Sequence, residues 1–286
     1  MKIGIALSGG GIRGIAHSGV LKALEEMGIK IDGISGTSSG SLIASLYAMG
    51  YSPYYIYVLF KRYADKLVQI EGKQIISGIG NFVWNKKLNV TGLNSGESLE
   101  HAYNEIAAKK GIKTMADISM PLVIPTVDVN SGEKYVFSSR QQEDEQYISD
   151  ISVGKAVRAS SSFPAVFCPC EYKGYRFSDG GILDNTPVYE LKKQGIDKVI
   201  AVIFESDPIT DQSNVMDLTM KIIDIMGRKI SEESLRMADM IITVPSDGTG
   251  LLEVEKLDFC YQSGYKTTMA SQEEIRKILV NVWKIW

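Results

Sequence analysis

Aliphatic runs and helically spaced apolar residues alternate along the first 50 residues of the chain. A short aliphatic run at residues 2–7 leads into a glycine-rich loop, and apolar residues then recur at helical spacing up to Gly28, a residue typical of helix C-termini. A second run, at residues 31–35, leads into Gly-Thr-Ser-Ser-Gly and a further helical stretch that ends at Gly50. This β-α-β-α order predicts an α/β fold with a mainly parallel sheet covered by helices.

The rest of the chain adds strands and helices without a repeat or a proline-rich linker between them. The sequence therefore predicts one domain over residues 1–286 with its core at about 2–205. A less regular insert at about 66–96 and a helical tail at about 259–286 fall outside this regular pattern. The further predicted elements are strands at residues 122–129, 134–137, 198–204 and 240–244, a strand that closes at 176–181, and a helix at 215–226.

Residues 33–60 contain no charged side chain, and a run of this length is also long enough for a membrane span. Gly50, Ser52 and Pro53 interrupt it. Ser52 is typical of a helix N-cap and Pro53 of a first helical turn, so two shorter buried helices are predicted instead.

Composition narrows the possible functions. A net charge of −3 with 23% charged residues lacks the basic excess of a nucleic-acid-binding protein. Three cysteines without a C-x-x-C pattern favour a reducing compartment and disfavour a zinc site. The first apolar run is too short for a signal peptide, so a cytoplasmic protein is expected. There are two histidines, His17 and His101, and any catalysis must therefore use few imidazoles or none.

The residues Gly36 to Gly40 spell G-x-S-x-G between a predicted strand and a predicted helix. In this context a sharp turn exposes the Ser38 hydroxyl at the sheet edge, and the following helix N-terminus favours developing negative charge. A tight turn with Ser38 as N-cap is the other interpretation.

The loop from Ser8 to Gly14 allows two interpretations. Gly9, Gly11 and Gly14 match G-x-G-x-x-G, and Asp32 follows at the distance of a ribose-binding carboxylate, as in an NAD(P)-binding Rossmann domain. Alternatively, the loop amides form an oxyanion hole. Because the first two strands are expected to lie side by side, the loop and the serine share one edge, which favours acyl transfer.

A serine nucleophile needs a base, and no histidine follows His101, so the Ser-Asp-His order is excluded. His17 is predicted to pack or cap on the first helix. Asp179 follows a strand and precedes two glycines, and it is the best candidate base, although an Asp-Gly turn is the alternative. A carboxyl with an ordinary pKa of about 3.9 is a weak base and must rely on oxyanion stabilisation. Residues 160–162, three serines, are predicted to form a loop or a helix end rather than to supply a rival nucleophile.

These three motifs, in this order, resemble the bacterial patatin-like phospholipases, with the third running from Asp179 to Pro187. Residues 17–21 and 159–167 support the resemblance, whereas Asp-Gly-Gly stands where many members have Asp-Gly-Ala. The resemblance implies a three-layer α/β/α fold and hydrolysis of fatty-acyl lipid esters, in the manner of phospholipase A, without a metal or other cofactor.

Carried onto this sequence, the resemblance implies that Ser38 is the nucleophile and Asp179 the proton acceptor. Arg13 either orients the glycine loop, attracts a lipid phosphate or forms a loop salt bridge. The implied oxyanion residues are Gly9, Gly10, Gly11, Ile12, Arg13, Gly14 and Ser39, and the supporting motif residues are Gly36, Gly40, Gly180, Gly181 and Asn185.

A lipid or another acyl ester is therefore the expected substrate. Two aromatic groups could also contact the inner face of the cytoplasmic membrane, although core packing is favoured for them. A catalytically silent lipid-binding or regulatory protein is the remaining alternative. The aromatic groups are Tyr54, Tyr55, Tyr57 and Phe60, followed by Lys61 and Arg62, and the tail residues Trp283 and Trp286.

Overall fold

The computed structural model describes residues 1–68, 94–164, 166–205, 215–250 and 253–280. Its strands are β1 (Ile3–Leu7), β2 (Gly33–Gly36), β3 (Leu122–Asp128), β4 (Lys134–Ser138), β5 (Tyr147–Ile148), β6 (Cys170–Tyr172), β7 (Tyr175–Asp179), β8 (Lys198–Phe204) and β9 (Met240–Val244). They form one sheet in the order β5-β4-β3-β2-β1-β8-β9. β7 also pairs with β3, and β6 pairs with the other edge of β7. The five central strands from β3 to β9 are parallel to one another, as the sequence predicts.

Helices lie on both faces of this sheet. They are α1 (Ala16–Glu26), α2 (Ser39–Ala48), α3 (Pro53–Val68), α4 (Glu97–Ala108), α5 (Val153–Ser160), α6 (Val188–Lys193), α7 (Val215–Ile230), α8 (Glu232–Arg236), α9 (Leu257–Ala270) and α10 (Gln272–Val280). Along β1, Ile5 and Leu7 point into the larger core, formed with α1 to α5, α9 and α10. Ala6 between them points into a smaller core formed with α6. Strands buried on both faces are typical of parallel sheets, and the predicted three-layer α/β/α fold is confirmed.

The strands predicted at 198–204 and 240–244 coincide with β8 and β9, and the helix predicted at 215–226 continues to residue 230. Most of the predicted insert at 66–96 lies outside the described residues. The predicted tail forms α9 and α10 up to residue 280, beyond which the description ends. The single domain over residues 1–286 stays a prediction.

The uncharged run at residues 33–60 contains the whole of β2, the whole of α2 and the first half of α3. Gly50, with φ of +80°, separates α2 from α3, and the Ser52 hydroxyl accepts a hydrogen bond from the Tyr55 amide at 3.3 Å, as an N-cap does. Among the residues that the structure describes, no helix has both the length and the apolar character needed to cross a bilayer.

Two strand ends meet along β3. β2 pairs with β3 in parallel through Ile34–Leu122 and Ser35–Val123, and β7 then pairs with β3 in the antiparallel sense, beginning at Thr126 opposite Asp179. The C-terminal ends of β2 and β7 therefore approach each other head-on beside the same strand. This arrangement brings residues that are far apart in sequence to one point of the sheet.

Helices α1 and α9 pack at a distance that only glycine permits. Gly264 of α9 lies on the carbonyl oxygen of Ala16, and Gly19 of α1 lies on the carbonyl oxygen of Tyr261, so a methyl group at either glycine would overlap a backbone atom. The contact fixes the first turn of α1, which directly follows the glycine-rich loop.

We therefore expect Gly264→Ala to lower the free energy of unfolding by about 2 kcal/mol or more, because the new methyl group must push the two helices apart. Gln262→Ala, an exposed position on the same helix, is the matched control and should change stability little. Urea unfolding of both variants measures the difference, and equal stability for the two would contradict this account of the helix contact.

Candidate active site

The turn between β2 and α2 holds Ser38 in an uncommon backbone conformation. Its φ is +53° and its ψ is −124°, a region that costs a residue with a side chain about 1–3 kcal/mol and recurs at functional sites. Ser38 occupies the N-cap position of α2, but its side chain makes no capping hydrogen bond. The half-buried hydroxyl is therefore not engaged as a cap, which argues against the simple-turn interpretation.

The glycines on either side of Ser38 allow this turn to close tightly. A methyl group at Gly36 would overlap the carbonyl oxygen of Gly40, and one at Gly40 would overlap that of Leu7 at the end of β1. The turn therefore lies directly against the neighbouring strand, and the missing side chains of the two flanking glycines permit this contact.

The backbone of Ser38 is held by two neighbouring hydroxyls. Its amide donates to Ser160 Oγ at 3.2 Å, and its carbonyl accepts from Ser41 Oγ at 2.6 Å. Ser160 ends α5, as the sequence predicts for the triple serine. Its contact with the candidate nucleophile has no sequence signal, because the two residues are 122 positions apart.

Asp179 ends β7 and is 2% exposed. Its Oδ1 accepts from the Gly181 amide at 2.8 Å, and its own amide donates to the carbonyl of Ser162 at 3.1 Å. The Ser38 hydroxyl lies beside the carboxyl, while the buried Oδ2 completes no hydrogen bond with the described residues. The structure therefore brings together the two residues on which the predicted chemistry depends.

Burial raises the pKa of Asp179 to about 7, although the Ser38 hydroxyl and the Gly181 amide both act to lower it. A carboxylate in a low-dielectric environment is destabilised relative to the neutral acid. Near neutral pH this side chain can therefore both accept and release a proton.

The glycine-rich loop follows β1 and adjoins the serine turn. The Gly9 amide donates to both the side-chain Oδ1 and the backbone oxygen of Asn185, each at 3.2 Å, and the Gly10 amide donates to Ser39 Oγ at 3.1 Å. These two amides hold the shape of the loop. Unlike these two, the amides of Gly11 and Ser39 stand at the start of helical turns, Gly11 in a 3-10 turn and Ser39 in α2. Neither amide has a carbonyl partner within its own turn.

Two further members of the loop have packing roles. A methyl group at Gly14 would lie 2.5 Å from Ser39 Cβ, so this glycine lets the loop approach the serine turn. Ile12 is buried in the larger core and anchors the loop from below. The predicted oxyanion residues thus lie next to one another in the structure, although their backbone and side-chain atoms have different contacts.

Arg13 is buried and fixes the loop to the end of β8. Its Nε donates to the carbonyl of Gly10 at 3.3 Å, its Nη1 donates to the carbonyl of Glu205 at 3.4 Å, and its guanidinium lies 5.5 Å from the centre of the Phe204 ring. Of the three roles considered for Arg13, these contacts favour orientation of the loop.

The histidines do not contribute a base to this site. His17 is fully buried, its Nε2 lies 2.8 Å from the carbonyl oxygen of Ser8, and its ring packs on Phe204. Burial lowers the pKa of His17 to about 4, so it is neutral near pH 7, and its predicted packing role is confirmed. His101 is exposed on α4.

The dinucleotide alternative is wrong on geometric grounds. Asp32 precedes β2, and its Oδ2 accepts from the Ile3 amide at 3.0 Å at the start of β1. The glycine loop lies at the other end of β1, whereas a Rossmann ribose carboxylate must lie at the same edge as the glycine loop. Asp32 has a suitable spacing from the glycine loop in sequence, but in the structure the length of β1 separates them.

A buried ionic cluster supports the segment that follows Asp179. Lys134 Nζ lies 3.1 Å from Asp184 Oδ2 and 2.6 Å from Glu190 Oε1, and both carboxylates are almost fully buried. The backbone oxygen of Asp184 accepts from the Thr37 hydroxyl at 2.8 Å. The cluster thereby fixes the Asp-Gly-Gly loop against the serine turn. Sequence reasoning missed it because Lys134 lies 50 residues from its first partner.

In the described parts of the chain, no three histidine, cysteine or acidic side chains are grouped in a way that could hold a metal ion.

The raised pKa of Asp179 predicts how stability depends on pH. The unfolded chain releases this proton near pH 4, whereas the folded chain keeps it until about pH 7, so the contribution of Asp179 to stability falls across that window. Asp179→Asn, which stays neutral, should therefore be more stable than the wild type above pH 7 by at least about 1 kcal/mol and should lose this advantage near pH 4.

Chemical denaturation at several pH values measures this difference. Asp117→Asn is the control with the opposite sign, because backbone amides of Thr114 and Lys113 hold the pKa of Asp117 below its usual value. A stability difference for Asp179→Asn that is constant from pH 4 to 8 would contradict the assignment.

Comparison with known proteins agrees with this geometry. Residues 5–192 match the family model described as patatin-like phospholipase. Among curated proteins, the chain is 26% identical to lysophospholipase NTE1 of Candida albicans over 92% of this chain and 19% of that protein. It is 34% identical to lysophospholipase NTE1 of Candida glabrata over 70% of this chain and 10% of that protein. The chain thus spans about a fifth or less of the length of these relatives.

Two solved structures share the fold. VipD from Legionella pneumophila has a TM-score of 0.51 at 17% identity, with 96% of this chain and 67% of that chain covered. ExoU, in its complex with SpcU from Pseudomonas aeruginosa, has a TM-score of 0.52 at 20% identity, with 98% and 52% covered. Together with the family model, which covers well over half of the sequence, these findings show that the chain belongs to the patatin-like phospholipase family.

Proposed function

We propose that this chain is a serine hydrolase that cleaves fatty-acyl esters of lipids, with Ser38 as nucleophile and Asp179 as proton acceptor. The observation that carries the proposal is a fully buried carboxyl, with its pKa raised to about 7, beside a serine held at positive φ. A general base is most effective when its pKa lies near the working pH, and burial provides that match without a histidine.

In the first step Ser38 Oγ attacks the ester carbonyl carbon while its proton passes to Asp179. The carbonyl π electrons move onto oxygen, and the resulting oxyanion accepts hydrogen bonds from backbone amides. Gly11 and Ser39 are the proposed donors, since both amides begin helical turns whose N-termini favour negative charge. The hydrogen bonds of the Gly9 and Gly10 amides keep the loop in place for this role.

In the second step the tetrahedral intermediate collapses. The bond between the carbonyl carbon and the alcohol oxygen breaks, the alcohol takes the proton from Asp179, and the acyl group stays on Ser38 as an ester. Asp179 then accepts a proton from water, whose oxygen attacks the acyl carbon, and the fatty acid leaves as Ser38 regains its proton. Neither step requires a metal or another cofactor.

The comparisons support a lysophospholipid or phospholipid as the substrate, since the curated relatives carry the name lysophospholipase. We retain the bacterial affiliation as a prediction, because the curated relatives named above are fungal and the bacterial structures resemble the chain in fold. A cytoplasmic location with peripheral contact at the inner membrane face likewise remains part of the proposal.

The aromatic residues of α3 that are candidates for membrane contact divide into two groups. Phe60 is buried, and the Tyr57 ring packs on Tyr261 at 4.4 Å, in line with core packing. Tyr54 and Tyr55 are exposed. The tail tryptophans lie outside the described residues.

Labelling with a fluorophosphonate ester tests the nucleophile. The probe should form a covalent adduct on Ser38, identified by peptide mass spectrometry, and Ser38→Ala should neither label nor hydrolyse esters. Asp179→Ala should reduce hydrolysis by about 10²–10⁴-fold, the usual contribution of a general base. Ser45→Ala removes another buried hydroxyl from α2 and should retain activity.

Full activity in folded Asp179→Ala would refute the dyad. Failure of the wild type to label or to hydrolyse any ester would instead favour the catalytically silent lipid-binding protein.

The pH profile of hydrolysis tests the base independently. Asp179 accepts a proton only when it is ionised, so kcat/KM for a soluble ester should rise with pH through a midpoint near 7 and then reach a plateau. Ser45→Ala should give the same midpoint. A midpoint near 4, the ordinary value of a carboxyl, would show that the residue acting as base is not this buried one.

A further inference from the structure

Helix α7 exposes a continuous row of apolar side chains, each between 45% and 57% accessible. Their spacing of three, four and eight residues places them on one face of the helix, about 18 Å long at 1.5 Å per residue. We call this row the apolar stripe. Its members are Leu218, Ile222, Ile225, Met226 and Ile230.

The C-terminal half of α7 lies against the candidate active site. Gly227 is buried on the carbonyl oxygen of Gly181, so closely that a methyl group there would overlap it. Gly181 in turn donates its amide to Asp179 Oδ1. Arg228 donates to the carbonyl of Phe204 at 2.8 Å and fixes the helix to the end of β8. The helix that carries the apolar stripe therefore contacts Gly181, which in turn contacts the proposed base, Asp179.

We propose that the apolar stripe docks the protein on the surface of a lipid aggregate, so that the acyl ester enters the site directly from that surface. This inference rests on the proposed function, because an enzyme that cleaves lipid esters must meet a substrate held in bilayers or micelles. A helix with one apolar face suits this position, lying in the interface with that face in the acyl region.

The size of the apolar stripe favours a lipid surface over a second copy of the chain. Five half-exposed aliphatic side chains offer on the order of 400 Å², whereas a stable protein interface buries about 800 Å² on each partner. Isolated patches of a few hundred Å² on a monomer are often functional. A lipid interface needs no complementary shape, and a single straight row of side chains is sufficient for it.

The test compares two double variants. The stripe variant carries Ile222→Gln together with Met226→Gln, and the α3 variant carries Tyr54→Gln together with Val58→Gln. Glutamine keeps helix propensity while removing apolar surface, so the variants should fold. The second pair matches the first in number and exposure but lies on α3, among the exposed aromatic residues. Co-sedimentation with phosphatidylcholine vesicles is measured in the Ser38→Ala background, so that the lipid is not consumed. Hydrolysis is measured in otherwise wild-type protein with vesicular lysophosphatidylcholine and with monomeric p-nitrophenyl butyrate.

We expect the stripe variant to bind vesicles roughly tenfold more weakly and to hydrolyse the vesicular substrate correspondingly more slowly. Its rate on the monomeric ester should be unchanged, and the α3 variant should behave like its parent. Unchanged co-sedimentation of the stripe variant, or a loss confined to the α3 variant, would overturn the docking surface. So would a wild-type dimer that the stripe substitutions dissociate in analytical ultracentrifugation.

The two proposals fail in different ways. If the wild type hydrolyses neither substrate, the proposed function is wrong, and the vesicle measurement still decides whether the stripe binds lipid. If hydrolysis of both substrates persists while binding is unaffected by the stripe substitutions, the proposed function stands and the docking surface is refuted.

Discussion

The close approach between the serine turn and β1 is the constraint on which the site depends. Because Gly40 touches the backbone of Leu7, α2 begins within contact of the loop that leaves β1. Ser39 can then accept from Gly10, and the loop is tied to the turn that carries Ser38. A side chain in place of Gly40 would separate these elements, and the remaining hydrogen bonds could not form at their present lengths.

Two buried acids near the site, Asp184 and Asp179, differ in the groups that stabilise their charge. Asp184 shares Lys134 with Glu190, and although burial raises the pKa of Asp184 to about 6, it is held in an ionic cluster. Asp179 is held mainly by a backbone amide and faces a hydroxyl, so its charge is stabilised less. A lysine beside Asp179 would lower the pKa of the carboxyl and make it a poorer base. The fold instead places the lysine beside Asp184, five residues after Asp179 in sequence, where it supports the loop without touching the base.

The sequence was informative where chemistry and local geometry coincide. The turn around Ser38, the glycine loop and the loop that begins at Asp179 are contiguous motifs, and each has a steric reason that can be seen in a few neighbouring residues. The core strands were predictable because they are continuous aliphatic runs flanked by turn signals. Residues 36–40 in particular combine a strand end, two glycines and a helix start, a combination with few structural solutions.

Long-range contacts were not predictable in the same way. The acceptor role of Ser160 and the cluster around Lys134 depend on which strands and helices become neighbours, and a single serine or lysine carries no sign of that. Asp32 shows the converse error, because a suitable spacing does not tell which end of a strand a residue occupies. Asn185 belonged to a predicted motif, but its bonds to the Gly9 amide became evident only with the fold.

The head-on meeting of β2 and β7 along β3 makes strand register a determinant of reactivity. A slip of one residue along β3 would move Asp179 by about 3.3 Å and turn its side chain to the other face of the sheet. The segment between Asp128 and Asp179 therefore acts on the site in two ways, through the register that keeps Thr126 opposite Asp179 and through the contacts of Ser160 and Lys134. The distance between the reacting groups is thus kept by the backbone pairing of a single strand.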